Sequence, residues 1–361
     1  MLDRMWSCLF ALALVACSGS PNRTKPTPTP MPPPPAAPVP APDRFAQLAF
    51  AEVARSSEIL VPDNREGAPV LAVSSDGTRI AVAQNDRAVH VRELPDFTEI
   101  VAISSPSPKQ TPGGIAFAPD GSLAIGWLPI SEGTKPAVVV YEPRAFAPKL
   151  TFKNTQDWVY ASQLHVLPDG RVVVLGGKPA LWRADGTGPV HELDISFATQ
   201  LAMNGAGTHM VVRERRPPVH KVWTKEHRSI DQDPGQLYFA TIDPPQVTAT
   251  RPFDAAVIAA IDDDFLAANH EALRRYTPDG RERAVVGLTG RPDALAALGE
   301  QVFVGYRTHG AAQPLAVYRR SDLAPVGIVG GVIDVRGVWP LAEGRLLVLT
   351  GDRLRIVRAS N

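Results

Sequence analysis

Three adjacent aspartates, Asp262-Asp263-Asp264, suggest chemistry because carboxylate oxygens are the ligands that calcium prefers. A calcium loop, however, spaces its ligands over about twelve residues and ends with a bidentate glutamate. The triplet has neither feature, and it stands between two apolar runs, VIAAI and FLAA, that a turn would have to join. The pattern therefore favours a turn over a calcium site, and we assign the chain no metal and no cofactor.

Histidines are the second group to consider, since imidazole serves as a general base or a metal ligand. They are scattered along the chain, so we predict ordinary surface or strand histidines, although a closed ring of repeats could gather distant ones at its centre. The sequence has no nucleophile elbow, P-loop, dinucleotide fingerprint or His-Glu-x-x-His zinc motif, and we assign no catalytic residue. The histidines considered are His165, His191, His209, His220, His227, His270 and His309.

The segment from Arg213 to Gly235, RERRPPVHKVWTKEHRSIDQDPG, concentrates positive charge around one tryptophan. Pro217-Pro218 exclude a regular helix there. Tryptophan and arginine dominate the energetics of protein interfaces, so the segment is a candidate loop for binding a protein or an acidic glycan. A solvated loop with a basic bias remains the alternative. The candidate binding residues are Arg213, Arg215, Arg216, Lys221, Trp223, Lys225 and Arg228.

The elements that must position these residues are short β-strands joined by tight turns. The stretches beginning at Leu71, Ile115 and Leu164 each contain an alternating apolar strand, an Asp-Gly turn and a second apolar strand. Asp-Gly between alternating apolar residues is a strong hairpin signal, because glycine accepts the positive φ of the turn. Fainter copies follow along the rest of the chain.

Seven such units follow one another at intervals of 44, 49, 37, 57, 35 and 45 residues. This spacing fits a seven-bladed β-propeller of four short antiparallel strands per blade, an all-β fold. The last unit has room for three strands, Gly337–Leu341, Arg345–Thr350 and Arg353–Arg358. Part of residues 45–61 should therefore supply the fourth strand and close the ring. The interval markers are Gly77, Gly121, Gly170, Gly207, Asp264, Gly299 and Gly344.

The body, residues 44–361, resembles the WD-repeat-like β-propellers, especially bacterial periplasmic ones with Ser-Pro-Asp-Gly turns. The motifs that carry the resemblance are Ser75-Asp76-Gly77, Pro119-Asp120-Gly121 and Pro168-Asp169-Gly170. No Gly-His dipeptide opens a repeat and no Trp-Asp dipeptide closes one, so the histidine–aspartate networks of that family are not carried over. The resemblance implies the fold, and a fold does not by itself imply a function.

Residues 1–16 have the pattern of a secretory signal, with Arg4 before an apolar run that is too short to span a bilayer. Leu14-Val15-Ala16-Cys17 resembles the bacterial lipobox, which implies cleavage before Cys17 and acylation of that cysteine. The only other cysteine is Cys8, so the body has no cysteine for a disulfide, a metal or a nucleophile.

Residues 17–43 are rich in proline and small residues, a composition that favours extended polyproline II and a disordered tether of about 80 Å. These features predict a monomeric propeller anchored by lipid in the bacterial cell envelope. By analogy Ser18 favours the outer membrane, with the body facing the periplasm or the cell surface. With 37 basic and 37 acidic residues the chain has no net charge, and we expect no nucleic-acid partner.

Two classes of function are compatible with these features. In the first, the propeller presents one face to an envelope protein as a non-catalytic interaction or scaffold module. In the second, its central channel is a hydrolase or lactonase-like active site, which requires several converging histidines or carboxylates. A small-ligand or sugar binder is a further alternative. The absence of catalytic motifs favours the first.

Overall fold

The computed structural model describes residues 46–56, 70–131, 133–153, 163–176, 178–214, 235–306, 314–351 and 353–359. These residues form 29 β-strands and one 3-10 turn at Ala342–Gly344. Twenty-eight of the strands build seven antiparallel sheets of four strands each, arranged as the blades of a propeller, and the remaining strand joins the edge of one of them. Among the residues described, none forms a helix long and apolar enough to cross a membrane.

The first three blades follow the chain without interruption, and each is an antiparallel meander. Their strands are β3 (Leu71–Val73), β4 (Arg79–Ala83), β5 (Val89–Glu93) and β6 (Thr98–Ile103); β7 (Gln110–Phe117), β8 (Leu123–Pro129), β9 (Ala137–Tyr141) and β10 (Pro148–Lys153); and β11 (Gln163–Val166), β12 (Val172–Leu175), β13 (Pro179–Trp182) and β14 (Pro189–Glu192).

Blades 4 to 6 repeat this arrangement. Their strands are β15 (Ala198–Met203), β16 (His209–Glu214), β17 (Gln236–Ile242) and β18 (Pro245–Pro252); β19 (Val257–Ile261), β20 (Asp264–Ala268), β21 (Ala272–Tyr276) and β22 (Glu282–Gly287); and β23 (Pro292–Leu298), β24 (Gln301–Tyr306), β25 (Pro314–Arg319) and β26 (Pro325–Ile333).

Blade 7 closes the ring with strands from both parts of the chain. Its inner strands are β27 (Val335–Pro340), β28 (Arg345–Thr350) and β29 (Arg353–Ala359), and β2 (Phe50–Arg55) pairs antiparallel with β29. This confirms the predicted closure, although the first strand begins two residues earlier than predicted. Closure removes the open sheet edge that a linear array of blades would leave.

One strand was not expected from the sequence. The short strand β1 (Gln47–Leu48) pairs in parallel with β26, so the sheet of blade 6 has a fifth strand on its outer edge. The Ile328 amide donates to the Ala46 carbonyl at 2.9 Å. Gly327 permits this approach, because a Cβ there would lie 2.4 Å from the Ala46 oxygen.

The first strand of each blade lines the centre, since the first strands of successive blades contact one another from β3 round to β27. Strands in the middle of a blade are covered on both faces by the neighbouring blades. All residues of β12 and β20 are therefore buried, whereas most residues of the outer strand β18 are exposed or half-buried.

The hydrophobic core is divided into seven clusters, and each fills one gap between neighbouring blades. The cluster between blades 7 and 1 joins residues such as Ile356 and Leu349 to Ile80 and Val82. Every gap is thus packed with apolar side chains, including the one that closes the ring. Burial of these side chains, at about 25 cal/mol per Å² of apolar surface, holds the blades together.

The seven marker residues lie at the same end of the propeller. Six of them lie between the first and second strands of a blade, and Asp264 begins the second strand of blade 5. We call this end the turn end, and it also carries the connections from third to fourth strands. The opposite end, which we call the connection end, carries the connections from second to third strands and those between blades. At the turn of blade 1, Gly77 has φ +67° and its amide donates to Ser74 O at 2.9 Å.

Candidate functional site

The basic segment is rooted at the connection end of blade 4. Strand β16 ends at Glu214 and β17 begins at Gln236, and these two residues are cross-strand partners. Residues 215–234, which join them, lie outside the described residues. The segment therefore begins and ends at neighbouring positions on one rigid sheet. Of the candidate binding residues, Arg215, Arg216, Lys221, Trp223, Lys225 and Arg228 lie outside the described residues, and Arg213 lies within them.

Arg213 lies in β16, and its side chain is only 9% exposed. Its Nη1 donates to the Ala256 carbonyl at 3.0 Å, and its Nη2 lies 3.8 Å from Asp254 Oδ1. Both partners belong to the connection between blades 4 and 5. The guanidinium therefore links blade 4 to the connection that leads into blade 5.

The residues around Arg213 fix the two ends of the segment. Tyr238 Oη donates to Glu214 Oε2 at 2.6 Å. The Phe253 amide donates to the Gly235 carbonyl at 2.8 Å, and a Cβ on Gly235 would lie 2.8 Å from Asp254 Oδ1. These contacts are buried or half-buried, so the residues that precede and follow the segment are held in place.

Phe197 is the residue at this root that the sequence analysis missed. It is 53% exposed, has φ +56°, and directly precedes Ala198, the cross-strand partner of Glu214. A positive φ is unfavourable for a bulky residue, and such strain concentrates at functional sites. The sequence SFATQ carries no signal for either property. Thr199 Oγ1 donates to the Arg213 carbonyl at 3.4 Å. We call the set Phe197, Thr199, Arg213, Glu214 and Asp254 the root platform.

A turn joins β19 and β20, as predicted, but only Asp262 and Asp263 form it, because Asp264 is already the first residue of β20. All three carboxylates have protein partners. Asp264 is buried and accepts a 2.7 Å hydrogen bond from Arg275 Nε. Asp262 pairs with Arg320 of blade 6, and Asp263 Oδ1 lies 3.4 Å from the Asn204 amide nitrogen of blade 4. The triplet therefore connects three blades at the turn end.

Four of the histidines considered in the sequence lie within the described residues, in blades 3, 4 and 5. His165 lies in β11, where burial lowers its pKa and a hydrogen bond with the Leu201 backbone raises it by less. His191 and His270 are exposed, and His209 contacts Thr208 Oγ1 at 3.0 Å. The other three lie outside the described residues, namely His220, His227 and His309. Within the described part of the chain, no three His, Cys, Asp or Glu side chains are grouped so that they could hold a metal ion.

His90, which the sequence analysis did not consider, forms the tightest arrangement of titratable groups around a histidine. It lies in β5 with its side chain 11% exposed. Nδ1 lies 2.8 Å from Glu99 Oε2, and Nε2 lies 2.9 Å from Asp86 Oδ2. Burial lowers the pKa of His90, but hydrogen bonds to Glu99 and Asp86 raise it by more, so the net pKa is above the ordinary value. The imidazole therefore links the blade's outer strand to the turn that precedes β5.

Fold and geometry together define a seven-bladed β-propeller with a rigid root for one long basic connection. A scan against protein-family models gives no match, and a search of curated proteins also gives none.

Proposed function

We propose that this chain is a WD-repeat-like propeller lipoprotein of the bacterial cell envelope that binds a protein partner without catalysing a reaction. Acylated Cys17 would hold it at a membrane, and residues 17–43 would act as the tether. The observation that carries the proposal is the root platform. A long basic segment begins and ends on a hydrogen-bonded base beside an exposed phenylalanine. Loops that carry binding contacts are typically mounted on a rigid scaffold in this way.

The chemistry of the segment indicates the kind of partner. Residues 215–234 contain Arg215, Arg216, Lys221, Lys225 and Arg228, against Glu226, Asp231 and Asp233. Trp223 and Phe197 add two aromatic side chains, the residue type that most often anchors interfaces. We therefore expect a protein with an acidic surface and an apolar pocket for an aromatic ring.

The path of the chain supports a tethered module. Ala46, the first described residue, lies beside Gly327 near the start of β26, at the turn end. The basic segment leaves from the connection end. A tether on the one end and a binding segment on the other would leave the binding end accessible when Cys17 is held in a bilayer.

Partner binding is tested by photo-crosslinking in cells that express the full chain. We expect a specific crosslinked partner that is lost when residues 215–234 are replaced by a short Gly-Ser turn, and weakened about tenfold by Phe197→Ala. Ile100→Ala is the matched control, since Ile100 is 44% exposed but lies on the outer strand of blade 1. A partner that is retained both by the Gly-Ser replacement and by Phe197→Ala would contradict this site.

Anchoring is tested separately with Cys17→Ser. The variant should lose incorporation of a labelled fatty acid and should leave the membrane fraction, because the acyl chains supply the membrane affinity. Fractionation of the unaltered chain is the reference. An unchanged membrane fraction in Cys17→Ser would exclude lipid anchoring through this residue, whether or not a protein partner is found.

A further inference from the structure

Blades 2 and 3 begin with hairpin turns of the same length and geometry, at 118–122 and 167–171. In each, the amide of the first residue donates to the carbonyl of the last at 2.8 Å. In each, the aspartate accepts from the backbone amide two residues later, at 2.8 Å in blade 2 and 3.0 Å in blade 3. The last residue differs, because blade 2 has Ser122 where blade 3 has Arg171. The first residue also differs, since blade 2 has Ala118 where blade 3 has Leu167.

In blade 3 this position bridges to the next blade. Arg171 Nη1 and Nη2 donate to the two carboxylate oxygens of Asp243 in blade 4 at 2.8 and 2.6 Å. The turn of blade 1 is one residue longer, and there the residue whose carbonyl accepts from the first amide of the turn is Arg79. Arg79 Nη1 donates to the Pro143 carbonyl of blade 2 at 2.7 Å. The Arg79 guanidinium also lies 5.6 Å from the centre of the Phe117 ring. A guanidinium thus fills the turn end of the gap between blades 1 and 2 and of the gap between blades 3 and 4.

Blade 2 makes no such bridge from this position. Ser122 Oγ donates to Asp120 Oδ2 of its own turn at 2.9 Å. At the turn end, the gap between blades 2 and 3 instead holds an open cavity of about 300 Å³, lined by Ser122, Gly170 and Ala184 among others. Gly170 of blade 3 corresponds to Gly121 of blade 2. Arg79 lies directly against Gly121, because a Cβ added there would be 2.8 Å from Arg79 Nη2. The cavity therefore lies where the arginine lies one gap earlier.

The walls of this cavity suit a cation on an aliphatic stem. Val140, Leu150 and Leu167 supply apolar surface, and the Asp120 carboxylate lies at the edge. The Ser122 amide and hydroxyl, with Lys149 nearby, hold the pKa of Asp120 below its ordinary value. Asp120 is therefore a carboxylate at neutral pH, with lone pairs left for a further donor. Lys149 is exposed at the rim and competes for the same charge.

We propose that the cavity between blades 2 and 3 binds a guanidinium group on an aliphatic stem, in the place that Arg79 occupies in the preceding gap. The guanidinium donates to the Asp120 carboxylate, and the stem packs on Leu150 and Leu167. The ligand is either a free small molecule or an arginine side chain of a polypeptide. This site is independent of the basic segment, which leaves from the opposite end of the propeller.

The test is calorimetric titration of the full chain, purified in detergent, with agmatine. We expect saturable binding with a dissociation constant on the order of 1 mM, as a ligand this small allows. 4-Aminobutylurea, which keeps the stem and the terminal amine of agmatine but has a neutral urea in place of the guanidinium, should bind at least about tenfold more weakly. An arginine tripeptide with blocked ends distinguishes a free small molecule from a polypeptide side chain as the natural ligand. It should bind more tightly than agmatine only if the natural ligand is a polypeptide.

Three variants make the site assignment falsifiable. Ser122→Arg should fill the cavity from within and abolish agmatine binding, whereas Ser321→Arg, an exposed turn serine in blade 6, should not. Asp120→Asn should weaken binding about fivefold and Lys149→Ala should strengthen it about threefold, because they remove opposite charges. The last two variants carry the test even if Ser122→Arg fails to fold. Absence of saturable binding, equal binding of 4-aminobutylurea, or binding unchanged by Asp120→Asn would overturn the proposal.

Discussion

His90→Gln is expected to destabilise the protein in a manner that depends on pH. The His90 ring bonds to Glu99 through Nδ1 and to Asp86 through Nε2. Both carboxylates accept, so both ring nitrogens carry a proton in this arrangement and the imidazole is a cation. Arg92, whose Nη2 lies 3.1 Å from the same Glu99 oxygen, is the other charged group that faces the pair. Glutamine keeps a polar side chain but carries no charge.

The sign of the pH dependence follows from the directions of the pKa shifts. The pKa of His90 is raised in the folded state, so its contribution is complete below the unfolded pKa of about 6.5 and is lost as pH rises through the folded value. The pKa of Asp86 is lowered, since burial raises it by less than hydrogen bonds from the Ala88 amide and His90 lower it. The contribution of Asp86 is therefore lost only as pH falls below about 4.

The magnitude follows from the exposure of the partners. A hydrogen bond to a charged group contributes about 1.5–3 kcal/mol when buried. Asp86 is 55% exposed and Glu99 42%, so water screens both, and the two bonds together contribute about 1–2 kcal/mol. For a domain of this size, 1 kcal/mol corresponds to about 2 °C in Tm. His90→Gln should therefore lower Tm by about 2–4 °C near pH 5.5, and by half of that or less near pH 8.5.

Thermal unfolding followed by circular dichroism at several pH values measures this difference. His270→Gln is the matched control, because His270 is 71% exposed and its nearest carboxylate oxygen, on Glu271, is 3.5 Å away. Its Tm should follow that of the unaltered protein throughout. A His90→Gln effect that is constant with pH, or larger near pH 8.5, would refute the charged-imidazole interpretation.

Three further perturbations test how the ring is held together. Arg171→Met should cost about 1 kcal/mol or less in low salt and almost nothing in 1 M salt, because its partner Asp243 is 68% exposed; equal effects in both salts would contradict this. Gly77→Ala should cost about 2 kcal/mol in chemical denaturation, since φ is +67° and the Cβ would lie 2.9 Å from a backbone nitrogen of blade 7. Gly133→Ala, with φ +78° and open space, should cost less, and an equal cost would assign the effect to φ alone. Deletion of residues 46–55 should open the ring and make it sensitive to limited proteolysis, whereas a protected, cooperative melt would show that β2 is dispensable.

The fold could be predicted because its signals are local. An Asp-Gly turn between alternating apolar residues specifies a hairpin within about ten residues of chain. Repetition of that unit seven times, with one strand missing at the end, specifies a ring closed by the N-terminal residues. The strand β1 could not be predicted in the same way. It is two residues long and pairs in parallel with a strand that is distant in sequence, so neither alternation nor a turn marks it.

The basic segment illustrates what composition leaves open. Charge and proline content mark where a regular strand cannot continue, but they do not specify the last paired residue. Strand β16 runs to Glu214, so Arg213 pairs with Leu237 and its guanidinium is buried beneath the next connection. The same residue type two positions later belongs to the segment itself. Only the register of the strands separates the two environments.

Contacts between residues that are distant in sequence account for the other features that could not be predicted. The partners of His90 belong to its own blade, yet Glu99 is nine residues away and is the cross-strand partner of Arg92, after a register shift that follows Val91. For Ser122 the relevant neighbours belong to another blade. The sequences Pro-Asp-Gly-Ser and Pro-Asp-Gly-Arg suggest equivalent turns, and they form equivalent turns. The difference between them becomes meaningful once Arg79 and Arg171 are seen to cross to the next blade, because a serine at that position then leaves the gap beside Gly170 and Ala184 open.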